Sequence, residues 1–138
     1  MIGLVIATHS KALAEATKEI AELMSKGLVP IIPVGGTGDE DNPFGSNAIA
    51  IADAIQQAYS PDGVLLFMDV GSSVMGAIQA LELIPTHMQD HVRLCSGPVV
   101  EGAVIAAAQA ACGSDLDQVF QDANNALQAK YTQLGVKP

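Results

Sequence analysis

The first twenty-five residues, MIGLVIATHSKALAEATKEIAELMS (1–25), decide the fold. Ile2 to Ala7 is an unbroken apolar run with Val and Ile, the pattern of a parallel strand buried on both faces. It ends in Thr8, His9 and Ser10. From there Leu13, Ala14, Thr17, Ile20, Ala21 and Met24 recur at helical spacing, with Ser10 placed to cap the first turn. A buried strand that passes within three residues into an amphipathic helix is a βα unit, and the rest of the chain repeats it.

Leu28 to Val34 reads as a second strand. Pro30 and Pro33 each remove a ladder donor, which puts that strand at a sheet edge. A long loop follows, Gly35 to Pro43. Ile51, Ala52, Ile55, Ala58 and Tyr59 then predict a helix that starts near Ser46 and stops before Pro61. Gly63 to Met68 (GVLLFM) is the most hydrophobic strand and therefore central. Asp69 ends it, Gly71-Ser72-Ser73 turns the chain, and Val74 to Leu83 is a third helix closed by Pro85. Val92 to Cys95 is a short fourth strand before the Gly97-Pro98 turn. Val100 to Ala111 is so rich in Ala and Val that it must be covered on most sides. Ser114 and Asp117 fit a capping box, and Leu116, Val119, Phe120, Ala123, Leu127, Tyr131 and Leu134 form one long helical stripe. Right-handed crossovers then give a three-layer α/β sandwich, an open, mainly parallel sheet of four or five strands in the order 2-1-3-4 with helices on both faces. Residues 1–138 are expected to form one domain.

Composition narrows the function. The chain has 138 residues, 6 Lys plus Arg against 15 Asp plus Glu, and a formal charge of -9. Nucleic acid and anionic membrane are bound through basic clusters, so neither is expected as a partner. Hydrophobic residues make up 49% and charged residues only 15%, with a mean hydropathy of +0.33. Disorder is thereby excluded, and some apolar surface is left over for a partner or a second copy. The apolar N-terminus has no basic residue ahead of it, and no apolar stretch is long enough to span a bilayer. Two cysteines without CxxC spacing, Cys95 and Cys112, read as buried free thiols of a cytoplasmic protein.

In an open parallel sheet the ligand lies beyond the carboxyl ends of the strands, where successive helices leave to opposite faces. For the order 2-1-3-4 that point falls between strands 1 and 3, and the residues just past them are His9 and Asp69. His9 stands at a helix start, where outward-pointing amides favour an anion such as a phosphoryl group; it is otherwise a polar turn residue. Asp69 can accept a hydrogen bond from one ring nitrogen, fixing the tautomer and leaving the other nitrogen as nucleophile; it is otherwise an Asp that starts a turn. Ser10, Gly36, Thr37, Gly71 and Ser72, on turns at the same edge, are the candidates for holding phosphate oxygens. Ser73, like Ser72, can offer its hydroxyl or amide to them, and both serines are equally suited to capping the third helix.

Other signatures fail. Gly36-Thr37-Gly38 is followed by Asp39, Glu40 and Asp41, so the third glycine of a dinucleotide fingerprint is missing and the loop is acidic. No Walker lysine occurs. Met75 stands where a nucleophile elbow requires glycine. His87 and His91 have i, i+4 spacing but no evident third ligand, so no metal site and no cofactor are expected, and the pair reads as a solvated connection.

Taken together, IATHSKALAEA, GGTGDEDNPFGSNA, LLFMDVGSSVMGAIQALEL, VRLCSGPVVEGA and SDLDQVFQDANNALQAKYTQLG resemble the phosphotransferase subunits of bacterial phosphoenolpyruvate-dependent dihydroxyacetone kinases over nearly the whole chain. Those subunits are similar in fold to the mannose-class IIA domains of the sugar phosphotransferase system. The resemblance implies that His9 carries phosphate and that Asp69 lies against it. It implies that phosphate arrives from the phosphocarrier protein HPr and leaves to ADP held on the nucleotide-binding subunit of the kinase, and that the protein is a cytoplasmic homodimer. Some members append a phosphocarrier-like domain; with the chain ending at Pro138, a separate carrier is expected here. A IIA component of a mannose-type permease and a non-catalytic binding module are the other two readings.

Overall fold

A computed structural model of the chain describes residues 1–137. Four strands, β1 (Gly3–Thr8), β2 (Ile31–Gly35), β3 (Val64–Met68) and β4 (Val92–Cys95), form one sheet in the order β2-β1-β3-β4, and every pairing is parallel. The expected topology holds, with four strands. β2 is an edge strand, where Pro33 sits opposite Ile6. Every residue of β1 and β3 is buried, as continuous apolar runs between two helical layers require.

The helices split by face. α1 (Lys11–Ser25), α5 (Val99–Ala111) and α6 (Leu116–Asn124) cover one side, packing Ala14, Ala21, Ala103, Ala107 and Val119 onto Leu4, Ile6, Leu65 and Phe67. α2 (Ala48–Ala58) and α3 (Ser72–Leu83) cover the other, packing Ile51, Ile55, Ala77 and Ala80 onto Val5, Leu66 and Val64. α5 is enclosed as its composition demands, but its cover comes from α1, α6 and the sheet of the same chain. Small residues allow that closeness: a Cβ at Gly102 would approach the Phe67 ring to 2.9 Å.

Several details of the helices depart from the sequence reading. The cap of α2 is Asn47, whose Oδ1 accepts the Ile49 and Ala50 amides, while the Ser46 hydroxyl turns away to the Ser72 carbonyl at 2.9 Å. The cap of α6 is Asp115, which accepts the Gln118 amide; Ser114 instead donates to the Gln109 side chain. The expected long C-terminal helix is two, α6 and α7 (Gln128–Leu134). Asn124 is held at the end of α6 because its Oδ1 accepts the Ser96 amide at 2.9 Å, tying the helix to the exit of β4. The connection before β4 contains a short helix, α4 (Thr86–Gln89), and Tyr59 lies edge-on to both His87 and His91.

Cys95 is buried with its thiol donating to Asn124, and burial pushes that thiol up in pKa, whereas Cys112 is exposed, contrary to expectation, because it caps the far end of α5. Among the described residues no helix is long and apolar enough to cross a membrane.

Candidate functional site

The register of β1 against β3 pairs Ala7 with Met68, so the two chains leave the sheet side by side, one toward α1 and the other toward α3. His9 and Asp69 emerge there, at the switch point. His9 Nδ1 lies 3.0 Å from Asp69 Oδ1 and 3.2 Å from Oδ2, and the His9 backbone N–H donates to Asp69 Oδ2 at 3.0 Å. One carboxylate thus fixes both the main chain and the ring of the histidine.

Burial pushes the Asp69 carboxyl up, but the His9 amide, the Ser73 hydroxyl, the His9 ring and the Val70 amide together outweigh it and hold the group below the ordinary carboxylate range. Asp69 is therefore ionised at neutral pH and can only accept. The proton it faces must sit on Nδ1, which leaves Nε2 with a free lone pair. Ser72 Oγ is 2.7 Å from that Nε2 and donates to it. Ser73 Oγ is 3.1 Å from Nδ1. Neither serine caps α3: both lie in its first turn, and Gly71 at the cap position makes no side-chain bond.

Gly71 makes the turn possible. Its φ of 51° and ψ of -110° are denied to L side chains, and that bend brings the first turn of α3 back over the imidazole. Behind it, the Gly45 amide donates to the His9 carbonyl at 2.9 Å, and Ser46 links the loop after β2 to Ser72.

Of the remaining sequence candidates, Ser10 caps α1 by accepting the Leu13 amide. Thr37 spends its hydroxyl on the Asn42 carbonyl and the Asp39 amide, and the Gly36 amide donates to the Gly45 carbonyl. Those two residues shape the rim of the site without touching the ring. The sequence offers Ser73 as a ligand to phosphate oxygens or as a helix cap, and nothing in the pattern points to the contact with the ring that the structure shows. Beside Asp69, a cleft of about 340 Å³ opens between α3 and the exit of β4, lined by Met68, Val74, Ile78, Leu94 and Gly97. Val70 and Met75, the chain neighbours of Asp69 and Val74, are exposed. No three His, Cys, Asp or Glu groups among the described residues come together as a metal site.

The site is thus a switch-point histidine whose Nδ1 faces a carboxylate and whose Nε2 faces the Ser72 hydroxyl, and the chain belongs to the EIIA-man family, the PTS system fructose IIA component, whose model matches residues 3–120. It is thus a component of a phosphotransferase system. Its curated relatives include the PEP-dependent dihydroxyacetone kinase, phosphoryl donor subunit DhaM, of Escherichia coli strain K12, 40% identical over 137 residues, 99% of this chain and 29% of that protein. The DhaM of Providencia stuartii is 39% identical over 97% of this chain and 28% of its own length. The chain therefore spans less than a third of these relatives. The subunit DhaM of PEP-dependent dihydroxyacetone kinase 2 from Listeria innocua is 34% identical over 91% of this chain and 98% of its own. Among solved structures, the unknown function protein EF1359 superposes with a TM-score of 0.79 at 33% identity, covering 90% of this chain and 93% of that one. A sigma-54 interaction domain protein from Enterococcus faecalis shares the fold, with a TM-score of 0.66 at 15% identity over 96% of this chain and 95% of its own.

Proposed function

We propose that this chain is the phosphoryl donor subunit of a PEP-dependent dihydroxyacetone kinase, which takes phosphate from HPr onto His9 and passes it to ADP bound on the nucleotide-binding kinase subunit. The observation that carries this reading is the Asp69 contact to Nδ1, because it leaves Nε2 as the only nitrogen able to attack. In the first transfer the Nε2 lone pair forms a bond to phosphorus while the bond to the donor breaks and its electron pair returns to the donor. The ring becomes positive, its Nδ1 proton stays shared with Asp69, and the carboxylate offsets the charge. In the second transfer a terminal oxygen of ADP attacks the phosphorus and the N–P pair returns to Nε2. The Ser72 hydroxyl and the amides of Gly71 and Ser72 at the open start of α3 hold the phosphate oxygens, and Ser10 adds the amides at the start of α1.

Four of the six basic side chains, Lys11, Lys18, Arg93 and Lys130, are paired with carboxylates elsewhere. The cations that neutralise the transferring group therefore come from the partner, and the partner's apolar surface meets the cleft by Val74 and Ile78. Such partners place the protein in the cytoplasm. A second copy is proposed on α1 rather than α5, because Leu13, Ile20, Leu23 and Met24 form an exposed apolar stripe there, with Leu23 78% exposed.

The family description, a fructose IIA component, supports a second reading as the IIA part of a sugar permease. One experiment separates the two. Chain phosphorylated from phosphoenolpyruvate is offered either an ADP-loaded kinase subunit or a membrane-complex IIB protein. Formation of ATP supports the kinase reading, and transfer to IIB alone refutes it.

A further inference from the structure

The described residues contain four buried polar side chains, Thr8, Thr17, Ser25 and Ser73. Three of them return their hydroxyl to a nearby backbone carbonyl: Thr8 to Ser10, Thr17 to Leu13 and Ser25 to Glu22. Ser73 does not. Its Oγ lies 3.1 Å from His9 Nδ1, across a chain separation of more than sixty residues, on the same side of the ring as the Asp69 carboxylate, whose ionised form its hydroxyl favours. A buried hydroxyl is costlier than a methyl group unless it is hydrogen-bonded, and this one spends its bonds on the reacting pair.

The protons can be placed. A serine hydroxyl has one proton to give, and an ionised carboxylate has none. If Ser73 donated to a bare Nδ1, the lone pair of that nitrogen would face both Asp69 oxygens, at 3.0 and 3.2 Å. The arrangement without that repulsion keeps the proton on the Ser73 hydroxyl, directed toward the Asp69 carboxylate, with an Oγ lone pair turned toward the Nδ1 proton.

We propose that Ser73 is a positioning residue of the phosphotransfer centre, whose buried hydroxyl accepts from His9 Nδ1 and so holds His9 in the tautomer that leaves Nε2 unprotonated. The role rests on the reading of His9 as the phosphoryl acceptor. It differs from that of Ser72, which touches Nε2 itself.

The test is the imidazole spectrum of the unphosphorylated, ¹⁵N-histidine-labelled chain at a pH where the ring is neutral, which needs no phosphate donor. The native protein shows His9 protonated at Nδ1. In Ser73→Ala the Nε2-protonated share rises at least threefold, and transfer from phosphorylated HPr slows about tenfold, the lower end of outer-shell effects on histidine, with KM unchanged. Ser73→Cys, of the same shape but a weak donor, falls between the two, and decides by the same criterion if the alanine variant does not fold. A tautomer pattern identical to native in a folded variant overturns the proposal. Failure of native His9 to take phosphate would instead refute the carrier reading, leaving the spectra to judge Ser73 alone.

Discussion

Asp69 accepts the backbone amide of His9 and the ring Nδ1 of the same residue, each at 3.0 Å, so a residue leaving β3 sets both the position and the protonation of a residue leaving β1. Sequence separation of sixty residues becomes direct contact only because the strand order places β1 and β3 side by side. The fold makes the site.

Asp69→Asn should leave the chain folded and slow phosphotransfer by about 10 to 100-fold, since an amide still bonds but no longer offsets charge on the ring. Rapid-quench measurement of phosphate uptake checks this; a folded variant with the native rate would return Asp69 to the role of a turn residue.

The same variant tests pH dependence. The Asp69 carboxyl is held below its ordinary value in the folded chain, so it contributes stability above the carboxylate range that is lost as the pH falls through the folded value. Between about pH 7 and about pH 3, across the carboxylate range, the urea midpoint of Asp69→Asn should therefore drop less than that of the native chain.

Gly71→Ala isolates the strain of the turn. Nothing lies within 4 Å of a Cβ built there, so the cost is conformational only, on the order of 1 to 3 kcal/mol. Urea denaturation should show that loss, and phosphotransfer should fall with it because α3 no longer bends over His9. A native midpoint would mean that the backbone relaxes at no cost.

Much of this was legible from the residues. The unbroken apolar runs of β1 and β3 gave the central strands, Pro33 gave the edge, and the exits of those strands gave His9 and Asp69 as a pair. What escaped was set by tertiary contact. A helix from Leu116 to Leu134 fits the periodicity, but the Asn124 side chain bonds the Ser96 amide and the helix is divided beyond it. Asn47 beats Ser46 as a cap because Ser46 is drawn to Ser72. Cys112 is apolar in its neighbours along the chain yet exposed in space. The serines after Gly71 read equally as caps or ligands until the bend of that glycine is seen.

The α1 stripe predicts association. Leu23→Glu should convert a sedimenting dimer of the native chain into a monomer of about half the mass while leaving the fold intact, since the side chain is exposed in one chain. A native chain that sediments as a monomer at micromolar concentration would contradict the dimer.

The isolated chain should show no useful ATP affinity by calorimetry. Triphosphate sites neutralise charge with basic residues and usually Mg²⁺, whereas the loop beside this site carries Asp39, Glu40 and Asp41 and four of the six basic residues are already paired. Tight binding of ATP would favour an independent kinase.

The central claim, that His9 is the relay between HPr and ADP, is tested most directly by following radiolabelled phosphate from phosphoenolpyruvate through the general phosphotransferase proteins into this chain. The native protein should take up one acid-labile phosphate and release it as ATP when the ADP-loaded kinase subunit is added, and folded His9→Gln should take up none. Label that persists in His9→Gln, or that never reaches ADP from the native chain, would contradict the account.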